Sequence, residues 1–326
     1  MWMEGSTSGV YRMWFQHMDI NRISFYQYNT IIVGTGAAGL NAAVTLHKLG
    51  QKNIALITEG RYMGTSRNTG SDKQTYYKMT QCGSEPDSVR KMAKTLFEGG
   101  CVDGDIAMAE AAGSLRAFYH LVDIGVPFPF NKSGEYVGYK TDHDPLKRGI
   151  SAGPLTSKYM TECLERQAEE QGIPFFDGYQ AVRLLTEEKD GEKRAAGIIA
   201  LNKQKAASPD ERYAVFSAVN IIWATGGEAG MYQASVYPVS QTGGMGVLLE
   251  AGAVAKNLTE SQFGIASVKY RWNLSGTFQQ CLPRYLSAEQ DGSHEREFLN
   301  DYFDTPRQLL TATFLKGYQW PFDPRK

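Results

Sequence analysis

The sequence predicts an α/β protein built on a doubly wound parallel sheet, and three features predict it. An apolar, β-branched run, YNTIIVG at 28–34, ends in glycine as buried parallel strands do. A glycine-punctuated turn follows at once and opens a helical stretch of small residues, Gly36 to Gly50. A second apolar run, Asn53–Thr58, completes a βαβ unit, and Phe216–Ala224 adds a further strand of the same character.

Composition narrows the field. At 326 residues the chain can bury a full core and form more than one domain. Its 34 Lys and Arg against 35 Asp and Glu leave a net charge of -1, which gives no attraction for nucleic acid or an anionic membrane. Glycine is in excess, 34 residues where about 7% is usual, and extra glycine marks tight turns and close backbone approach. Cys82, Cys101, Cys163, Cys281 and the five histidines are scattered without ligand spacing, so neither a disulfide framework nor a metal site is expected. No apolar run approaches the roughly 18 residues of a membrane span. Residues 1–27 lack a signal core and read as an unstructured extension, with Met18 a candidate start; the expected compartment is the cytoplasm.

The remaining elements follow in order. Gly60–Asp72 reads as an extended loop, and helices are expected at Asp87–Glu98, Asp105–Ile124 and Leu155–Gln171. Strands are expected at Pro174–Phe176, Ala181–Thr186 and Ala195–Leu201, with Asp190-Gly191 as a hairpin turn. A short helix is expected at Gly246–Ala251. Beyond Leu258 the periodicity weakens, which places a domain boundary near 257–262.

The first turn carries chemistry. Gly34-Thr35-Gly36-Ala37-Ala38-Gly39 is G-x-G-x-x-G between a strand and a helix. Gly34 permits the turn, Gly36 lets backbone approach a pyrophosphate, Gly39 packs the helix on the strand, and the helix N-terminus attracts the anion. Glu59 follows the next strand, where a carboxylate can accept from ribose hydroxyls. The pattern alone permits NAD or FAD.

GTGAAGLNAA, Glu59, the Ser/Thr/Gly loop after it and Ala224-Thr225-Gly226-Gly227 together resemble the FAD-binding domain of the fumarate reductase/succinate dehydrogenase flavoprotein family. The stretches 151–173, 190–201 and 241–264 resemble further family segments in the same order, over roughly 28–265. The resemblance implies a Rossmann-like FAD-binding domain at 28–257 and the start of an α+β capping domain at 258–326. It places Gly34, Gly36, Ala37, Ala38 and Gly39 at the pyrophosphate and Thr58, Glu59 and Gly60 at the ribose. Thr65, Ser66, Arg67, Asn68, Thr69, Gly70 and Ser71 would run past the isoalloxazine ring, Val182 near the adenine, and Ala224, Thr225 and Gly226 along the cofactor. On pattern alone Thr225-Gly226-Gly227 is also a simple strand-end turn.

Departures from the family are informative. No histidine lies between His47 and His120, which implies non-covalent FAD. Gly243 or its neighbour stands where many members have the Asp of T-G-D-G, and Phe263–Ser267 replaces a dicarboxylate-binding His-Pro-Thr stretch. The family's catalytic arginine lies beyond the point matching Lys326, so the chain reads as a fragment with no assigned catalytic residue.

The implied activity is hydride transfer between FAD and a small organic substrate. The alternatives are an aspartate-oxidase-type flavin oxidase, or a flavin-binding subunit completed by a partner chain or electron-transfer partner. Arg67, Asp72, Lys73, Tyr76 and Tyr77 could face substrate or form a solvated loop. His143, beside Asp142 and Asp144, could serve as acid/base or as turn chemistry. Arg271 and Arg284 could bind an anionic substrate or form surface salt bridges.

Overall fold

The computed structural model describes residues 22–70, 74–82, 86–100, 102–140, 144–227, 237, 241, 243–258, 266–267, 272–273 and 281–318. The chain divides into two compact units, Met1–Thr69 with Ser157–Ala255, and Gly70–Thr156 with Lys256–Lys326. Residues 70–156 thus fall in the second unit and interrupt the expected 28–257 domain.

The first unit is organised by β1 (Ser24–Val33), whose last four residues, Thr30–Val33, are all buried. A strand buried on both faces needs cover on both, and the chain supplies it. α1 (Ala37–Lys48) returns over β1 with Leu40, Ala43 and Val44 buried, and leads to β2 (Ile54–Thr58), buried at every position. Parallel pairing runs from Thr30 opposite Ile54 to Val33 opposite Ile57. On its other edge β1 pairs in parallel with β8 (Tyr213–Trp223), from Ser24 opposite Ala214 to Val33 opposite Trp223. β1 therefore begins four residues before the expected Tyr28. Ser24–Gln27 carry no apolar run, and their strand conformation is fixed by the long neighbour β8, so the expected 1–27 extension is shorter than predicted.

The sheet order is β5-β2-β1-β8-β7-β6, where β5 is Phe175–Asp177, β6 Tyr179–Lys189 and β7 Glu192–Asn202. β5, β2, β1 and β8 are parallel, and β7 and β6 extend the sheet antiparallel. The β6–β7 hairpin turns at Asp190 (φ 55°) and Gly191 (φ 78°), the two positive φ values that a two-residue hairpin turn of this hand requires. Both strands outrun expectation because their solvent ends, Glu187–Lys189 and Glu192–Arg194, are charged and give no hydrophobic signal. On one face of the sheet Ile31, Val33, Ile57, Ile198 and Phe216 form the core, closed by rings. Phe216 stacks on Tyr26 at 4.8 Å and meets Phe176 edge-on at 4.9 Å. Burying each such side chain is worth about 1.5–3 kcal/mol.

α2 (Thr65–Asn68) is a single turn inside the stretch expected to be loop, and α5 (Thr156–Glu170) and α6 (Met245–Glu250) lie close to their expected bounds.

The second unit contains the two-residue strands β3 (Tyr76–Tyr77) and β4 (Gly149–Ile150), paired antiparallel, with α3 (Val89–Glu98) and α4 (Gly104–Asp123). Each helix starts on a side-chain cap: Ser88 accepts from the Lys91 N–H, and Asp103 from those of Asp105 and Ile106. Met92 and Ala93 of α3 pack on Ala107 and Ala111 of α4. Arg148 is wholly buried; its guanidinium donates to Asp87 at 2.7 and 2.9 Å, to Thr95 at 2.9 Å and to Asp144 at 3.3 Å. The pairs β9 (Ala266–Ser267) with β10 (Trp272–Asn273), and α7 (Pro306–Tyr318), complete the unit. Among the described residues, no helix is long and apolar enough to cross a membrane.

Candidate cofactor site

The parallel strands β1, β2 and β8 end side by side, and the chain leaves β1 through Gly34 with φ at 108°. The Gly34 N–H donates to the Ile57 carbonyl at 2.8 Å, and the Ala224 N–H to the Val33 carbonyl at 2.7 Å. A Cβ on Gly34 would drive into the Ala224 carbonyl, and one on Gly39 into the carbonyl of Gly34. Both obstacles are backbone, so these two glycines set how closely α1 approaches the sheet.

Gly36 has a different task. It is the N-cap of α1, extended at φ -74° and ψ 178°, and it has no side chain to accept from the first turn. The first bond inside the helix is Leu40 N–H to Gly36 carbonyl, 3.0 Å, so the amides ahead of Leu40 lack helical acceptors. These amides and the positive end of the helix dipole face a cavity of about 270 Å³. An anion fits such a place, and a nucleotide diphosphate is the anion that a turn of this form accommodates.

The cavity is lined by Gly34–Ala38 of the turn, Ile57–Gly60 after β2, Met63–Ser66 of the following loop, and Tyr179–Ala181 of β6. Trp223–Gly226, Gln241 and Gly243-Gly244 complete it. Thr35 Oγ1 donates to Thr58 Oγ1 at 3.0 Å, tying the turn to the end of β2. Glu59 lines the cavity, and its carboxylate accepts from Lys203 Nζ at 3.0 Å. Thr225 Oγ1 donates to the Gly243 carbonyl and Gln241 Nε2 to the Thr225 carbonyl at 3.4 Å, so the segment after β8 is fastened to the start of α6. Thr225-Gly226 is therefore part of the cavity wall and more than a strand-end turn.

The loop from 60 to 69 is held from behind. The Arg61 N–H donates to Asp177 Oδ1 at 2.8 Å, and its guanidinium lies 4.1 Å over the Phe175 ring. Arg61 and Arg67 both bind Glu165 of α5, Arg61 also reaching Glu169 and Arg67 reaching Glu162 at 3.6 Å. The Arg67 side chain is thus engaged with α5 and does not line the cavity, contrary to its expected place at the ring or substrate. Asn68 is structural: its Nδ2 donates to the carbonyls of Tyr62 at 2.7 Å and Gly64 at 3.0 Å. Thr69 Oγ1 donates to the Thr65 carbonyl at 2.6 Å. Among the described residues of the expected flavin loop, only Thr65 and Ser66 line the cavity. Gly70 belongs to the second unit, beside the Pro154 carbonyl, and Ser71 lies outside the described residues.

Val182 also differs from expectation. In β6, Ala181 pairs with Ala200 and Arg183 with Ile199, which leaves Val182 as the extra residue of a bulge. The residue is 40% exposed, and Tyr179–Ala181 line the cavity in its place. Sequence reasoning missed these three, as well as Thr35, Met63, Trp223 and Gln241; only the Gly243-Gly244 pair carried a visible signal.

The remaining candidates lie elsewhere. Tyr76 and Tyr77 are half-buried in β3; burial, then the charge of Glu110, pushes the Tyr76 phenol up to about 12. The Tyr77 hydroxyl accepts from Arg148 at 3.3 Å. Arg284 forms a surface ion pair with Glu297. Asp72, Lys73, His143 and Arg271 lie outside the described residues. Among the described residues no group of His, Cys, Asp and Glu could hold a metal ion.

Comparison with known proteins agrees with the geometry. The family model described as FAD binding domain matches residues 29–283. L-aspartate oxidase of Agrobacterium fabrum is 28% identical over 242 residues, covering 72% of this chain and 42% of that protein. The succinate dehydrogenase flavoprotein subunit of Rickettsia conorii is 26% identical over 267 residues, covering 74% and 40%. A flavocytochrome c3 fumarate reductase in its open conformation superposes with a TM-score of 0.66 at 18% identity, over 97% of this chain and 54% of that one, a likeness of fold. The chain thus spans about two fifths of the length of these curated relatives. Its glycine turn, its sheet and the match over 29–283 make it a member of the FAD binding domain family.

Proposed function

We propose that the first unit holds FAD in the cavity at the ends of β1, β2 and β8, and that the protein moves a hydride between this flavin and a small organic substrate. The observation that carries the reading is the uncapped first turn of α1, which opens on a cavity between strand ends. FAD supplies the redox chemistry when bound. The chain's own residues bind and orient it. Gly34, Gly36, Ala37 and Ala38 present backbone to the pyrophosphate, Gly39 keeps α1 in place, and Glu59 accepts from the ribose. Thr65, Ser66 and Ala224–Gly226 enclose the remainder and exclude water. No histidine lies between His47 and His120, the stretch that holds the loop after β2, and non-covalent binding is proposed on that ground. Residues 258–326 are proposed as the start of a capping domain, and an electron-transfer partner or complementary chain as the other half of the reaction.

The test is to mix the purified chain with FAD, remove free cofactor, and precipitate with acid. Flavin released into the supernatant is expected; a chain that retains NAD but not FAD overturns the assignment, and flavin pelleting with protein overturns the non-covalent reading. The relatives named L-aspartate oxidase favour a second reading, in which oxygen is the acceptor. Rapid reoxidation of the photoreduced chain in air, without an added carrier, would select it.

A further inference from the structure

The cavity-lining stretch after β2 is fastened at both ends to one carboxylate. Met63, Gly64, Thr65 and Ser66 all line the cavity, with Arg61 before them and Arg67 after them in the chain. Both arginines reach back to α5. Arg61 Nε donates to Glu165 Oε1 at 2.5 Å, and Arg67 donates to the other oxygen, Oε2. Glu165 is 8% exposed, so water screens these two bonds little and their geometry is held firmly. The Tyr62 ring lies over both guanidinium groups, 5.8 Å from Arg61 Cζ and 5.3 Å from Arg67 Cζ. Among the described residues Glu165 is the carboxylate that the two arginines share; Glu162 and Glu169 meet one each and are partly exposed. The stretch held in this way comes up against the first turn of α1, where Ser66 Oγ lies 3.3 Å from the place a Cβ on Gly36 would take. It contains Gly64 at φ 57°, and a glycine without ties samples many conformations.

We propose that Glu165 is a positioning residue for cofactor binding. It draws Arg61 and Arg67 together, sets the span of the stretch between them, and so holds Thr65 and Ser66 at the cavity before the cofactor arrives. The inference rests on the FAD reading, and Glu165 acts through the loop without meeting the cofactor. Ordering the loop in advance removes a cost that binding would otherwise carry.

The experiment compares the full native chain with Glu165→Gln. Glu170→Gln is the control for the same loss of charge on the same helix, since Glu170 is exposed and its carboxylate accepts from Gln167 at 3.3 Å. FAD affinity is read from flavin fluorescence. Loop order is read from limited trypsin digestion, with fragments ending at Arg61 or Arg67 identified by mass. Glu165→Gln is expected to weaken FAD binding about ten- to a hundredfold, the cost of ordering the loop on binding. Cleavage at Arg61 and Arg67 should rise about fivefold or more and fall again when FAD saturates the variant. A general loss of stability would not confine new cleavage to these two bonds, and urea midpoints measured on the same samples separate the two effects. Arg67→Gln cuts one arm and leaves Glu165 paired with Arg61, so it carries the test if Glu165→Gln does not fold. For it, FAD binding about three- to tenfold weaker and added cleavage at Arg61 are expected. If the native chain binds no FAD, the functional reading fails and this inference with it. If it binds FAD, and the folded variants bind as tightly or leave the loop as resistant to trypsin as before, this inference alone is overturned. An equal loss in Glu170→Gln would trace the effect to net charge and overturn it too.

Discussion

Gly36→Ser separates the fold from the cofactor site more sharply than any other single change. The backbone at Gly36, φ -74° and ψ 178°, is the extended conformation that a serine N-cap adopts. The new Cβ would meet only the Ser66 hydroxyl, 3.3 Å away at the end of a side chain that can rotate. The serine hydroxyl would accept from the amide two or three residues on, and serine exceeds glycine as a cap by only a few tenths of a kcal/mol. Stability should therefore hold or rise slightly. The same hydroxyl takes an amide that the diphosphate needs, and a hydrogen bond to a charged group is worth about 1.5–3 kcal/mol. FAD affinity should fall about 10- to 150-fold. Gly39→Ala is the counterpart: its Cβ collides with the Gly34 carbonyl, so overpacking of about 1–3 kcal/mol should appear as lost stability before any question of cofactor arises. Urea unfolding and FAD titration of both variants decide the matter. A serine variant that binds FAD as tightly as the native chain would refute the reasoning, since the first turn would then not be the anion site.

Glu59→Gln should weaken FAD binding about tenfold by removing a charged acceptor from the ribose. Lys203→Met, which only frees Glu59 from a partly exposed ion pair, should leave affinity equal or slightly higher; weaker binding in the lysine variant would contradict the role given to Glu59. In the second unit, burial alone would raise the Asp87 carboxyl, but bonds from Arg148, Thr80 and Ser88 outweigh it and hold the group below its ordinary range. Its stabilisation is therefore complete above the unfolded value, about pH 4, and is lost as pH falls through the lower folded value. Asp87→Asn should cost about 3 kcal/mol at pH 7 and flatten the acid side of the melting curve; an unchanged acid limb would show that Asp87 is not the linked group. Among the described residues, Lys78, 2% exposed, has the Met79 carbonyl at 3.4 Å and the Phe118 ring at 4.8 Å for its ammonium. Desolvation lowers its pKa against the opposing charges of Cys82 and Asp87, so the folded state gives up this proton first and stability rises with pH through that range. Lys78→Met should melt at an equal or higher temperature and lose that rise; a clear drop in melting temperature would show that the ammonium is needed for packing.

How much of this was legible in the sequence depends on the range of the force that fixes each feature. Thr30–Val33 of β1 and all of β2 are buried, so their apolar runs are visible without knowing their neighbours. Asp190-Gly191 could be read because positive φ at two successive residues is a local demand. Ser24–Gln27 could not, because their conformation comes from pairing with Ala214–Ser217, nearly two hundred residues away. Arg67 shows the same limit in the site: its position in the loop suggested a ligand, while the groups that hold it, Glu162 and Glu165, lie about a hundred residues on and bear no pattern that points back.

Val182 is the most instructive case, because a single extra residue decides it. Strand alternation assigns faces by counting in twos, and a bulge resets the count without any signature in side-chain type. Up to Ala181 the strand keeps the register of its β7 partner, and Ala181 packs on the core face beside the cavity. From Arg183 to Leu185 the register has moved by one, and Leu184 is again on the core face. Val182 is therefore displaced outward, and the cavity edge of β6 is made by Tyr179, Gln180 and Ala181. Any role of Val182 toward a nucleotide would have to come from its backbone, which the bulge leaves outside the β6–β7 pairing. Val182→Thr, similar in shape, should then leave FAD affinity unchanged, whereas Ala181→Leu, which thrusts two more carbons of reach into the cavity wall, should reduce it. Equal effects of the two substitutions would mean that the bulge does not set which residue meets the cofactor.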